Sequence, residues 1–150
     1  MILLDAYFSD SIPFHLITEE FDALCKRRLT SRGALSVNFT GTVCGKGNAL
    51  FWAAVKTLQT EFPRVYIFSP ELASGQPTFR ATAIVVATRS PDRLDRESVA
   101  SRGRAFAGRL KRPGVGVWAT YLYEGELRTG DVPVLTDAYS PTDALQQFSR

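Results

Sequence analysis

The sequence predicts one α/β domain with a largely parallel β-sheet, spanning residues 1–150. Short apolar segments typical of strands alternate with segments that have helical spacing of apolar residues. The run at residues 81–87 is continuously apolar and rich in β-branched residues, which is typical of a strand covered on both faces. No repeat, low-complexity stretch or linker divides the chain, and 150 residues can bury a core of their own.

The elements alternate in chain order as strands and helices, separated by segments rich in Gly, Pro, Ser and Asp. We expect strands at residues 1–5, 34–39, 65–68 and 81–87. We expect helices from residue 18 to the basic turn before Gly33, and at residues 48–62, 95–110 and from about 141 onward. Loops are expected at residues 6–17, 41–47 and 69–80, a short segment at 118–123, and a turn at 128–133.

The first two helices carry clear end signals and apolar faces. Thr18 is a favourable N-cap before two acids, and three basic residues fill the last turn of that helix. Helical spacing predicts that its buried side consists of Phe21, Leu24, Cys25 and Leu29. The same reasoning predicts the buried side of the second helix as Leu50, Phe51, Ala54, Val55 and Leu58.

Composition excludes several classes of protein. Hydrophobic residues make up 45% of the chain and charged residues 22%, which is ordinary for a globular protein. No apolar run approaches the roughly 20 residues that span a bilayer, and an acid at Asp5 without preceding basic residues is not typical of a signal peptide. We therefore expect a cytoplasmic protein with no membrane partner.

Metal binding and thiol chemistry are not expected. Cys25 and Cys44 lack metal-ligand spacing and His15 is the sole histidine, so Cys and His cannot supply a zinc site. Both thiols are interpreted as reduced packing residues. A catalytic Cys–His pair lacks a third group that would orient it.

A basic segment at residues 93–112 contributes to the net charge of +3. Nucleic-acid binding would favour this charge on one face with aromatic residues between the cations. Phe106 is the only aromatic residue in the segment, and its spacing fits the buried side of a helix. A solvated helix face is therefore the preferred interpretation, and no nucleic-acid partner is expected.

The glycine pattern does not indicate a nucleotide site. The chain has no G-x-G-x-x-G turn after a strand. Gly41, Gly45 and Gly47 form the one cluster, and they precede the second helix rather than open the fold. We interpret them as loop residues in preference to a phosphate cradle.

Four sequence blocks resemble the spermidine synthase-like family of polyamine aminopropyltransferases. Residues 4–16 read L-D-A-Y-F-S-D-S-I-P-F-H-L, residues 33–38 read G-A-L-S-V-N, and residues 62–68 read F-P-R-V-Y-I-F. Residues 133–143 read P-V-L-T-D-A-Y-S-P-T-D, similar to that family's P-V-L-T-D-D-Y-A-P-V-[DE]. The blocks occur in family order over almost the whole chain, and they are most similar to the bacterial branch fused to membrane transporter domains.

The resemblance implies a Rossmann-like fold of the S-adenosylmethionine-methyltransferase type, doubly wound and with an antiparallel last strand. Residues 1–5 would be the family's fourth strand, which lies mid-sheet. The family's strands 1–3, with the glycine-rich cofactor loop, would be missing, so no residue is assigned to cofactor binding. Decarboxylated S-adenosylmethionine is the implied co-substrate, and no covalently bound cofactor is expected.

Carboxylates suit aminopropyl transfer because they bind ammonium groups and accept protons. Asp5, at the carboxyl end of the first strand, matches the family's first acid, and its alternative role is that of a strand-end aspartate. The family's second acid, three positions later, corresponds to Phe8. Asp10 can take that role only if the loop is reshaped. Asp5 and Asp10 are thus the candidate catalytic residues.

The same resemblance makes Tyr7, His15, Asp137 and Tyr139 candidate substrate-binding residues. His15 is equally consistent with a hydrogen-bonded structural histidine. Asp137 and Tyr139 match the terminal block, in which Ala138 replaces the second acid, and their alternative role is to cap the tail helix.

The function implied by the resemblance is aminopropyl transfer to a polyamine, with the isolated chain inactive or in need of a complementing half. One alternative is a non-catalytic dimerising module, because residues 1–5 would form an exposed apolar strand edge that pairs with a second copy or a complementing chain. Another is a fragment of an S-adenosylmethionine-dependent methyltransferase, since a fold does not determine a function.

Overall fold

The computed structural model describes residues 1–7, 12–75, 81–139 and 141. The sheet formed by these residues has four strands: β1 (Ile2–Leu4), β2 (Ala34–Gly41), β3 (Arg64–Phe68) and β4 (Ala81–Thr88). Their order is β1-β2-β4-β3, with β1 parallel to β2 and β4 antiparallel to both of its neighbours. The expected α/β class and the antiparallel last strand are confirmed.

The helices are α1 (Glu19–Arg28), α2 (Ala49–Glu61), α3 (Pro70–Ser74) and α4 (Arg96–Leu110), with 3₁₀ segments at Phe14–Leu16 and Pro113–Tyr121. The N-cap prediction for α1 is confirmed, because Thr18 Oγ1 accepts a hydrogen bond from the Phe21 amide at 3.4 Å. α4 begins in the same way at Asp95, whose carboxylate accepts from the Ser98 amide at 2.8 Å.

Helix α3 lies inside the segment that we interpreted as a loop. Ser69 caps it by accepting a hydrogen bond from the Leu72 amide, Pro70 occupies its first turn, and Gly75 ends it in the left-handed conformation. These residues are ordinary start and stop signals for a helix. The helix was not predicted because its five residues are too few to show an apolar repeat. Residues 76–80 and the predicted tail helix beyond Pro141 lie outside the described residues.

The core lies between α1, α2 and one face of the sheet. Leu35, Val37 and Phe39 point into it from β2, and Ala83, Val85 and Ala87 from β4. All five residues predicted for the buried side of α2 are buried. Trp52, Ala53 and Thr57 of the same helix are buried as well, so α2 is enclosed on most of its circumference.

The predicted buried side of α1 is partly wrong. Leu24 is 42% exposed, whereas the acidic residue Asp22 is only 2% exposed. Asp22, Cys25 and Leu29 are spaced by three and four residues and form the buried stripe of α1. Helix α1 is therefore rotated about its own axis relative to the orientation predicted from the spacing of its apolar residues.

The second face of the sheet, here called the outer face, is only half covered. Along β4 the residues alternate between buried Ala81, Ala83, Val85 and Ala87 and more exposed neighbours. The expectation that this strand is covered on both faces is therefore wrong. The physical reason is that α1 and α2 cover one face, while α4 packs chiefly against the Pro113–Tyr121 segment rather than against the sheet.

Exposure also corrects the interpretation of α4. Phe106, expected on a buried side, is 50% exposed, and Ala107 is the residue of this helix that is buried. The basic residues of the helix lie at its surface, in agreement with the interpretation of a solvated face.

Strand β1 lies at the margin of the described sheet and not in its interior. It pairs only with β2, and Leu3 in its middle is 65% exposed. Such an unpaired apolar edge is a template for pairing with another strand. In the described part of the chain, no helix has the length and apolarity that crossing a membrane requires.

Candidate functional site

The candidate site lies just beyond the end of strand β1, beside the parallel strand β2. Leu3 is paired with Ser36, so continuing the register places Asp5 beside Asn38 on the outer face. The side-chain amide of Asn38 donates a hydrogen bond from Nδ2 to Asp5 Oδ1 at 2.8 Å. Carboxyl ends of parallel strands are the usual location of ligand sites in doubly wound sheets.

Tyr7 connects the segment after β1 to β2. Its hydroxyl donates to the backbone carbonyl of Asn38 and accepts from the Thr40 amide at 2.9 Å, with Thr40 Oγ1 at 3.2 Å. The hydroxyl is thus engaged with the backbone and side chain of β2. This contact holds the chain around Asp5 in place, and the assignment of Tyr7 to substrate binding stays a prediction.

Asn38 is a site residue that the sequence reasoning did not assign. It ends the second sequence block, and the alternation of β2 places it on the outer face with Asp5. Its Oδ1 atom is buried and has no hydrogen-bond partner among the described residues. A buried acceptor left unpaired costs about 1–3 kcal/mol.

The structure says less about the two other candidate residues of the first block, Asp10 and His15. Asp10 lies outside the described residues. His15 is exposed in the Phe14–Leu16 turn, and its ring packs edge-on to Phe14 with the ring centroids 5.5 Å apart. Neither the substrate-binding role nor the structural role of His15 is tested by this contact.

The terminal block docks onto α1 and α2. Leu135 is fully buried, its amide donates to Thr57 Oγ1 at 2.9 Å, and its carbonyl accepts from the Glu19 amide at 2.8 Å. The Lys56 ammonium group donates to the Val132 carbonyl at 2.6 Å. These contacts hold residues 132–135 across the two helices.

The docked block brings Asp137 to the N-terminus of α1. Thr18 Oγ1 donates to Asp137 Oδ1 at 2.8 Å, and the Asp137 amide donates to Glu20 Oε2 at 2.9 Å. A carboxylate at a helix N-terminus interacts favourably with the helix dipole. Tyr139 is 59% exposed, and its amide donates to Thr136 Oγ1. The contact with ligand predicted for Asp137 and Tyr139 stays a prediction.

The N-terminus of α1 lies at the same end of the parallel strands as Asp5. This end, where the parallel strands have their carboxyl termini, is here called the carboxyl edge, and the opposite end is the amino edge. Arg89, which follows the antiparallel strand β4, donates to the carbonyls of Lys26 and Leu29 near the other end of α1. That other end therefore lies at the amino edge of the parallel strands. The first and last sequence blocks thus share the carboxyl edge.

The loop after β2 also lies at this edge. Gly45 and Gly47 have φ angles of 79° and 85°, in the left-handed region that glycine adopts without strain. The need for this backbone conformation explains why both residues are glycine, and no phosphate-binding role has to be invoked. Within the described ranges, no group of three or more His, Cys, Asp or Glu side chains is placed to hold a metal ion.

Burial perturbs two titratable groups of α1, Asp22 and Cys25. Burial first, and then the nearby Glu61 and Glu19 carboxylates, raise the pKa of Asp22 to about 8. Burial and the neighbouring Asp22 raise the pKa of the Cys25 thiol to about 11, so this thiol is protonated at neutral pH. Within the described part of the chain, neither Cys25 nor Cys44 forms a disulfide.

The chain is similar in fold to the crystal structure of a probable spermidine synthase from Corynebacterium glutamicum ATCC 13032. The TM-score is 0.60 with 15% sequence identity, over 93% of the present chain and 47% of that chain. No family model matches the sequence, and no curated protein matches it. The similarity shows a Rossmann-like fold of the methyltransferase type, and the chain spans about half the length of that protein.

Proposed function

We propose that this chain supplies the amine-binding and proton-accepting part of a spermidine synthase-type aminopropyltransferase site. The observation that carries the proposal is the hydrogen bond between Asn38 of β2 and Asp5, which directly follows the neighbouring parallel strand β1. The fold is shared with a probable spermidine synthase, which supports the choice of this chemistry among those that a carboxylate can perform.

The reaction transfers a propylamine group from a sulfonium donor to an amine. The amine nitrogen forms a bond to the carbon beside sulfur, the carbon–sulfur bond breaks, and its electron pair leaves with the neutral thioether. The nitrogen then loses a proton to a base. Because the sulfonium is a good leaving group, the protein mainly positions the amine and keeps it unprotonated.

Asp5 is suited to hold the amine and accept its proton. Asn38 fixes one oxygen of the carboxylate, which leaves Oδ2 available for an ammonium group. Tyr7 holds the segment that carries Asp5 against β2, so the carboxylate is positioned before the ligand arrives.

The donor's nucleoside half needs further residues. The sequence contains no G-x-G-x-x-G turn between a strand and a helix, which is the usual support for a nucleotide. In this proposal a complementing segment, on the same or another polypeptide, supplies the nucleoside-binding half of the site beside the free edge of β1. We therefore expect residues 1–150 alone to bind the amine without transferring a propylamine group to it.

The test is a titration of the isotope-labelled chain with putrescine, followed by amide chemical shifts. Shifts should centre on Asn38 and Thr40, and Asp5→Asn should weaken binding about fivefold or more because it removes the charge of the carboxylate. Asp131→Asn, which removes an exposed acid elsewhere, is the matched control. Unchanged affinity of Asp5→Asn would refute the site. Turnover of decarboxylated S-adenosylmethionine by the wild-type chain alone would refute the need for a complementing segment.

The open edge of β1 favours a second candidate, a non-catalytic dimerising module. Leu3 is the large apolar residue exposed in the middle of that strand. Pairing of two β1 strands would make the elution volume in size-exclusion chromatography depend on concentration, and Leu3→Lys should abolish the dependence. A monomer at all micromolar concentrations would exclude this candidate.

A further inference from the structure

A cavity of about 550 Å³ lies between the outer face of the sheet and helix α4. Tyr66 and Val86, which are cross-strand neighbours in β3 and β4, form part of its floor. Val99 and Arg102 face it from α4, where a spacing of three residues places them on one side of the helix. The cavity exists because α4 packs chiefly against Pro113–Tyr121 and leaves a gap above the sheet.

The floor of the cavity is a fixed aromatic ring. The Tyr66 hydroxyl donates to the Asp92 carbonyl at 3.1 Å and accepts from the Leu94 amide at 2.9 Å. Because both hydrogen bonds satisfy the hydroxyl, Tyr66 offers the cavity an apolar ring face whose position is set in advance. Val86 beside it is half-buried. A flat apolar group can therefore pack on this floor without leaving a polar atom unpaired.

The mouth of the cavity is positively charged. Arg32 and Arg102 line it together with a single acid, Asp92. The Arg32 guanidinium is 4.0 Å from the Asp92 carboxylate, and both side chains are mostly exposed, so this ion pair is weak. Arg102 has no carboxylate partner in the described part of the chain. Two guanidinium groups facing one carboxylate leave a net positive charge for an anionic group.

The size of the cavity indicates a small molecule. Small-molecule sites commonly measure about 300–1,000 Å³. The cavity is also separate from the Asp5 site, because Arg32 precedes β2 and thus lies at the amino edge of the parallel strands.

We propose that this cavity binds a small amphipathic anion. Its flat apolar body would lie on Tyr66 and Val86, and its carboxylate, sulfonate or phosphate group would bind Arg102 and Arg32. The inference is independent of the proposed transferase function, since none of these residues belongs to the carboxyl edge.

The test uses two fluorescent probes with the intact chain. Anilinonaphthalene sulfonate combines a flat aromatic body with one anionic group, and phenylnaphthylamine has the same body without the charge. We expect the sulfonate to bind with one-to-one stoichiometry. Arg102→Gln should weaken its binding about five- to tenfold because a charged hydrogen bond is lost, and should leave the uncharged probe unaffected.

Two further variants complete the design. Arg109→Gln makes the same charge change on an exposed part of α4 outside the cavity, and should bind the sulfonate like the wild type. Val99→Trp fills the cavity and should abolish one-to-one binding, with circular dichroism verifying the fold. Equal effects of Arg102→Gln and Arg109→Gln would overturn the proposal. So would probe-induced amide shifts centred on Leu3 rather than on Val86.

Discussion

Replacement of Asp22 by Asn tests the effect of a buried acid on stability. Asp22 is 2% exposed, and its Oδ2 atom has no hydrogen-bond partner among the described residues. Burial, Glu61 and Glu19 raise its pKa from 3.8 to about 8. The nearby ammonium group of Lys26 is bound to Glu61 at 3.2 Å. The folded protein therefore keeps Asp22 protonated at neutral pH.

The pKa difference determines the sign and size of the pH effect. Below the unfolded pKa of 3.8, Asp22 is protonated in both states and has no effect on unfolding. Between that value and about 8, the unfolded chain releases the proton and the folded chain retains it, so the free energy of unfolding falls as pH rises. The loss is about 1.4 kcal/mol per pH unit, which amounts to about 4 kcal/mol between about pH 4 and pH 7.

Asp22→Asn removes this titration and keeps the shape of the side chain. We expect the variant to be more stable than the wild type by several kcal/mol at neutral pH, and similar to it near about pH 4. Urea unfolding followed by tryptophan fluorescence over this pH range measures the difference, with Asp131→Asn as a control for loss of an exposed acid. Parallel stability profiles of wild type and Asp22→Asn would refute the reasoning.

Two further substitutions probe the contacts that hold the candidate site. Thr18→Ala removes both the cap for the Phe21 amide and the hydrogen bond to Asp137, and should lower the free energy of unfolding by about 2 kcal/mol in urea titrations. Thr18→Ser should restore most of it, and equal losses in both variants would contradict the capping role. Tyr7→Phe leaves the Thr40 amide unpaired and should destabilise by about 1–2 kcal/mol while weakening putrescine binding less than Asp5→Asn does. A larger effect on binding than that of Asp5→Asn would show that Tyr7 contacts the ligand directly.

The local features of the fold were predictable from the sequence. The N-cap of α1, the buried side of α2 and the four strands follow from capping residues and hydrophobic periodicity, which depend on neighbours within a few positions. The short apolar run at residues 1–5, which ends in an acid, also predicted that Asp5 lies at the carboxyl end of a strand. These signals depend on residues that are close in sequence, so they can be read without knowing the tertiary structure.

Tertiary packing decided the rest. The insertion of β4 between β2 and β3, the pairing of Asn38 with Asp5, and the docking of Leu135 on α2 all join residues distant in sequence. Packing against α2 also sets the rotation of α1, which buries Asp22 and exposes Leu24 against their side-chain preferences. Periodicity defines which residues share a face, whereas the orientation of that face depends on the total burial that the assembled elements achieve.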